Sequence, residues 1–207
     1  MDESGNLTIE KGAVMDQRTK NRIRTRKLAF MAMLAALASA LMLLDTALPY
    51  LPPSLKYDIS ELPVLIGAFA FGPLSAIAIE LIKNLIHLTI TQTAGVGELA
   101  NFIAGVLFAG TAGLVYKFMR TRGGAVISMI AGTLALTIGM GILNYFVLVD
   151  LFMKVLYPDV VMGDKDKIKL VLSAYVPFNL FKGFSVSFLT LLVYKPISKL
   201  INRLAGA

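Results

Sequence analysis

Cysteine is absent, and histidine occurs once, at His87. The first absence excludes a disulfide framework, a cysteine-bearing zinc site and a thiol nucleophile; the second excludes a metal site built from several histidines. Charge is scarce too, at 16% of 207 residues. No G-x-x-x-x-G-K-[ST] phosphate loop occurs, so the chain does not hydrolyse ATP by that route. No G-x-S-x-G context accompanies His87, which leaves an intramembrane hydrolase resting on one residue. No internal repeat is visible.

What is abundant is hydrophobic surface. Hydrophobic residues make up 57% of the chain and mean hydropathy is +0.73, too apolar for a water-soluble domain of this size. The chain must use lipid as its solvent. Its net charge of +7 does not imply nucleic acid, because the basic residues gather at helix ends rather than along one face.

Residues 1–27 form a polar, basic arm expected to be a disordered or interfacial tail, and residues 28–207 a six-helix membrane domain. Apolar segments run over 28–48, 59–71, 73–91, 99–118, 125–149 and 170–194. Most have the ~20 residues that a helix needs to cross about 30 Å of hydrocarbon. The second is short and is expected to borrow flanking residues or to sit partly inside the protein. Pro49, Pro52, Pro53, Gly72-Pro73, Gly95, Gly97 and Gly123-Gly124 punctuate the segments. Ala38-Ser39-Ala40 imitates a signal-peptide cleavage site, but the apolar run continues through Leu44, long enough to span.

Placing both termini in the cytoplasm puts 13 basic residues inside: seven in the arm, then Lys117, Arg120, Arg122, Lys195, Lys199 and Arg203. Lys56, Lys154, Lys165, Lys167 and Lys169 lie outside, a 13 to 5 split that obeys the positive-inside rule and requires an even number of spans. Tyr116 and Tyr194, each beside a lysine at an inner boundary, fit an aromatic belt.

Intramembrane polar residues carry the functional signal. Glu80, Lys83, Asn84 and His87 share one helix face by i, i+3, i+4, i+7 spacing. The first three read as a structural ion pair with an interhelical hydrogen bond, and His87 as a satisfied interhelical histidine. Asn144, Asn179 and Lys182 read as ligand-binding, converging in the outer half of the membrane. No acid lies one helical turn from Lys182, although Glu98 on another helix could neutralise it. Tyr145, Phe146, Phe178, Phe181, Phe184 and Phe188 are packing or lipid-facing residues of which a few could wall a flat pocket. Ala32, Ala36 and Ala40 recur every four residues, a small-residue stripe on which another helix can approach closely.

The run Leu55-Lys56-Tyr57-Asp58-Ile59-Ser60-Glu61-Leu62-Pro63, then Glu80-Leu81-Ile82-Lys83-Asn84, Gly97-Glu98-Leu99-Ala100-Asn101-Phe102, Asn144-Tyr145-Phe146 and Pro177-Phe178-Asn179-Leu180-Phe181-Lys182-Gly183, taken in order, resembles the riboflavin-specific S component of energy-coupling factor (ECF) vitamin transporters. The resemblance covers the chain from about Lys27 onward. It implies a six-helix substrate-binding subunit of a prokaryotic plasma membrane that captures riboflavin from outside. It further implies partners, a transmembrane coupling protein and two ATP-binding cassette ATPases, with no cofactor, metal or catalytic residue in this chain. Ligand contacts carry over to Asn144, Asn179 and Lys182, with further contacts from Lys56, Tyr57 and Asp58, and the stripe Ala32, Ala36 and Ala40 carries over as the coupling-protein interface. The chemistry suits a flavin independently: the pyrimidine edge of isoalloxazine presents acceptor, donor, acceptor, which two asparagines and a lysine can satisfy. Another vitamin remains open on chemistry alone. A self-sufficient secondary transporter would need a polar path through both membrane halves, broken helices or a repeat.

Overall fold

The protein was described from a computed structural model, which gives the backbone of residues 3–47, 49, 51–52 and 55–204 and the side chains of 17–46, 49, 51–52 and 55–193. Pro53, and the side chains of Lys11, Tyr194, Lys195, Lys199 and Arg203, lie outside the described residues.

Helix α1 covers Glu3–Met42. A two-residue antiparallel ribbon follows, β1 Thr46–Ala47 against β2 Lys56–Tyr57, with Thr46 opposite Tyr57. Then come α2 Glu61–Phe71, α3 Pro73–Ile90, α4 Val96–Phe118, α5 Arg122–Leu156 and α6 Asp164–Val193. Five helices are long and apolar enough to cross a membrane, the part of α1 that qualifies being Gln17–Met42, and α2 is the shorter sixth.

Two boundaries differ from expectation for physical reasons. The polar arm continues α1 without a break instead of forming a separate tail; its straight-chain Lys, Arg and Gln residues are good helix formers, and the spanning segment supplies the costly nucleus. At the other end of the bundle, α5 is 35 residues long, about 50 Å at 1.5 Å per residue, so it outruns a ~30 Å hydrocarbon layer. It pairs with the first part of α6 as a hairpin, tied by Lys167 Nζ to Asp150 Oδ2 at 2.9 Å. Asn144 therefore lies twelve residues before the helix end at Leu156, further from that end than an end at Val149 implied.

The short helix is the hub. Helix α2 packs against α1, α3, α4 and α6, and Val64, Leu65, Ile66, Ala68 and Phe69 are all buried. It lies mostly inside the protein, which removes the need to match the bilayer thickness. Gly72, at φ +92, turns α2 into α3 in a conformation that L side chains rarely adopt, and Pro73 opens α3 where its missing N–H costs nothing. Below the loops the core is alanine-rich, with Ala35, Ala38, Ala76, Ala109, Ala112 and Ala125 allowing helices to approach closely.

Tyr116 is buried, its ring 4.5 Å from that of Phe69. It packs within the bundle near the end of α4 at Phe118. Ala32, Ala36 and Ala40 lie on the exposed side of α1, while Ala35, Ala38 and Ser39 face the core.

Candidate ligand-binding site

A cavity opens at the end of the bundle where α1, α3 and α5 finish and α4 begins, roughly 840 Å³ counting its open mouth. Its lower wall holds Asn144, Asn179, Lys182 and Asn101, its apolar sides Met140, Phe152, Tyr175 and Phe178, and its mouth Asp45, Lys56, His87 and Gln92. The three residues expected to bind ligand are thus brought together from α5 and α6.

Local helix geometry sets their directions. Five-residue π-type turns occur at Asn144–Leu148 and Val171–Tyr175, the widened geometry that often marks functional positions. The second ends two residues before Pro177, whose ring would clash with a regular helical turn. Asn144 is buried and donates from Nδ2 to the Met140 carbonyl at 2.7 Å. Only the amide nitrogen can make that bond, so its side-chain oxygen remains the acceptor. Asn179 Nδ2 is buried with no hydrogen-bond partner among the described residues, a cost of ~1–3 kcal/mol unless something polar meets it.

Lys182 is not neutralised by Glu98. Its Nζ lies 3.1 Å from Asp58 Oδ2 and 3.3 Å from Asn101 Oδ1. Glu98 is committed elsewhere: Oε1 is 2.9 Å from His87 Nδ1, and Oε2 accepts from Thr91 at 2.8 Å and Thr93 at 3.2 Å. The loop before α2 brings Asp58 to Lys182, a contact 124 residues apart in sequence. Burial alone would raise the Asp58 carboxyl, but Lys182, Lys83 and the Ser60 hydrogen bonds together hold it well below the usual carboxylate range.

Beneath the cavity, Lys83 donates to Glu80 Oε1, Glu61 Oε1 and Ser60 Oγ, each at 2.9 Å. The ion pair with Glu80 has the expected i, i+3 spacing. Glu61 is an additional partner, contributed by α2. Asn84 Nδ2 donates to Glu80 Oε2 at 3.2 Å, and Asn84 Oδ1 accepts from Asn101 Nδ2 at 3.3 Å, the interhelical bond foreseen for it. Gly105 of α4 packs directly on the Glu80 carboxyl, where a Cβ would overlap it.

The first-loop residues divide. Lys56 lines the mouth, paired to Asp45 Oδ2 at 3.1 Å and reaching Gln92 Oε1 at 3.3 Å. Asp58 lines the cavity through its bond to Lys182. Tyr57 is not among the lining residues; its hydroxyl is 2.9 Å from Ser185 Oγ and its ring packs on Phe181, because alternation along β2 turns it away from Lys56. Phe178 is the one of the six named aromatics on the wall, whereas Phe146, Phe181, Phe184 and Phe188 are exposed on the outer surface of the bundle. Asp45, Gln92, Tyr175 and Phe152 carried no sequence signal beyond their type. A turn polar residue beside each helix end was the available clue for Asp45 and Gln92.

Residues 26–194 match the family profile described as "ECF transporter, substrate-specific component". The chain belongs to this family. This S component is 33% identical over 188 residues to the riboflavin transporter RibU of Staphylococcus aureus (strain TCH60), covering 91% of this chain and 98% of that protein. It is 34% identical over 188 residues to the riboflavin transporter FmnP of Bacillus subtilis (strain 168), covering 89% and 98%. A solved S component of a bacterial ECF transporter superposes with a TM-score of 0.73 at 32% identity, covering 86% of this chain and 98% of that one. The S component is therefore a multi-pass membrane protein of a transporter family.

Proposed function

We propose that this S component binds riboflavin in the cavity and passes it to an ATP-driven partner module, a transmembrane coupling protein with two ATP-binding cassette ATPases. The observation that carries the reading is the donor and acceptor set on the cavity wall. Asn179 presents a buried, unpartnered N–H donor, Lys182 a charged donor, and Asn144 a side-chain acceptor. Two donors and one acceptor complement the acceptor, donor, acceptor edge of isoalloxazine. Phe178, Tyr175, Phe152 and Met140 supply flat apolar walls for the ring system, and Lys56, Gln92 and Asp45 at the mouth suit a hydroxylated chain. Other vitamins lack that combination of a flat tricycle and an imide edge. The names of the two relatives lend the same substrate independent support.

In this reading the chain crosses the bilayer six times with both termini cytoplasmic, and the cavity faces outward. The 13 to 5 division of basic residues supports that orientation. Cysteines replacing Arg122 and Lys165 in this cysteine-free chain are expected to label from opposite sides of intact cells, Arg122→Cys only after permeabilisation. Labelling of both from outside would reverse the assignment.

The exposed stripe Ala32, Ala36 and Ala40 is the surface proposed to dock on the coupling protein, since small side chains let backbones approach closely. One experiment tests substrate and docking together. Mass spectrometry of small molecules released from denatured, purified protein is expected to find riboflavin in both wild type and Ala36→Trp, whereas ATP-dependent uptake with the partner module is expected only in wild type. Absence of riboflavin from wild type that also fails to quench its fluorescence sinks the substrate; uptake retained by Ala36→Trp sinks the interface.

A further inference from the structure

Two lysines are buried beside the cavity, and counting their hydrogens separates them. An ammonium has three N–H donors. Lys83 spends all three at 2.9 Å, on Ser60, Glu61 and Glu80. Lys182 spends two, on Asp58 Oδ2 at 3.1 Å and Asn101 Oδ1 at 3.3 Å, and its next carboxylate oxygen, Glu61 Oε1, is 3.9 Å away. Lys182 alone keeps a donor for something in the cavity that it lines.

Asp58, by contrast, has no oxygen left unengaged. Its Oδ1 accepts from the Ser60 backbone N–H at 2.8 Å and from the Ser60 hydroxyl, and its Oδ2 accepts from Lys182. Ser60 is held in turn by Lys83. On the other side, Asn101 accepts from Lys182 and donates to Asn84 Oδ1 at 3.3 Å, and Asn84 donates to Glu80. A closed ring of hydrogen bonds thus runs Glu80, Lys83, Ser60, Asp58, Lys182, Asn101, Asn84 and back to Glu80, joining the first loop to α3, α4 and α6.

We propose that Asp58 and Asn101 are positioning residues that determine specificity through Lys182: they fix its ammonium so that its free N–H reads a carbonyl oxygen on the polar edge of the ligand. The proposal rests on the riboflavin reading and assigns Asp58 a role other than direct ligand contact. The long lysine stem has several rotatable bonds, and a flexible cation reads a planar edge poorly unless it is oriented beforehand. Without Asp58 the nearest remaining carboxylate oxygen to the ammonium is Glu61 Oε1, at 3.9 Å.

The test is a double-mutant cycle read by riboflavin fluorescence quenching, with Asp58→Asn, Lys182→Met and the double variant in the full-length protein. Asp58→Asn keeps the size and removes the charge; it is expected to weaken binding about tenfold, which is ~1.4 kcal/mol. In the Lys182→Met background it is expected to cost less than about twofold, since the residue it orients is gone. Equal cost in both backgrounds, or no cost in either, overturns the proposal. A second readout separates positioning from general disruption. Flavins with one pyrimidine-edge carbonyl oxygen replaced by sulfur, a weaker acceptor, are expected to bind wild type more weakly than riboflavin, and Asp58→Asn to compress that ratio toward one. An unchanged ratio assigns Asp58 a structural role only and overturns the proposal. If wild type binds no riboflavin, the substrate reading fails and the proposal falls with it, an outcome distinct from a wild type that binds riboflavin while Asp58→Asn costs the same in both backgrounds.

Discussion

Lys83→Ala is expected to lower the stability of the ligand-free protein by about 3–5 kcal/mol, the range for stranding buried charges by removing their partner. Lys83 is 0% exposed, as is Glu80, and Glu61 is 2% exposed. Its removal leaves Glu80 without its cation and Glu61 with only Lys182, 3.9 Å away, takes a donor from Ser60, and opens a void beside Glu80 that the bundle can only partly close. At ~2–4 °C per kcal/mol for a chain of this size, thermal unfolding in detergent should shift down by roughly 6–20 °C. Replacing the whole cluster is different from breaking it. Lys83→Met combined with Glu61→Gln and Glu80→Gln should recover much of the loss, since uncharged groups need no counter-ion. A shift below ~2 °C for Lys83→Ala would mean that water reaches these carboxylates and that the cluster is not a dry ion-pair network.

Asn179→Ala is expected to weaken riboflavin binding about five- to 150-fold, corresponding to ~1–3 kcal/mol for a buried hydrogen bond. The same variant should leave the midpoint of the ligand-free protein unchanged or slightly raised, because Nδ2 has no protein partner to lose among the described residues. That pairing of a large affinity effect with no stability effect is the mark of a ligand-reading group. Asn144→Ala should lose affinity in the same range and some stability as well, since its side-chain amide adds a second hydrogen bond, beside that of its own backbone N–H, to the Met140 carbonyl ahead of the π-type turn. Fluorescence titration and thermal unfolding of the same preparations measure both. Unchanged affinity in both alanine variants would move the site elsewhere.

The site's identity was more legible than its wiring. Asn144, Asn179 and Lys182 stood out because polar side chains in apolar helices are costly, and they do line one cavity. Glu80 and Lys83 were legible as a pair because i, i+3 spacing is a property of the helix itself. The counter-ion of Lys182 was not: Glu98 was the visible acid, while Asp58 lies in a proline-flanked loop whose path no helical period describes. The same limit applies to Glu61, one residue into α2, and to Tyr57, whose residue type fits a ligand contact but whose strand face points to Ser185.

The sequence by itself determined the solvent, the helical class, the number of apolar segments and the polar residues that cannot face lipid. All of these follow from composition and helical periodicity, which act locally along the chain. Tertiary structure decided which charges neutralise one another, that α2 lies inside the bundle, that α1 extends through the basic arm, and that α5 and α6 project as a hairpin. Those outcomes depend on contacts between residues far apart in the chain, such as Asp58 with Lys182, and a buried charge takes whichever partner the packed helices bring within about 3 Å.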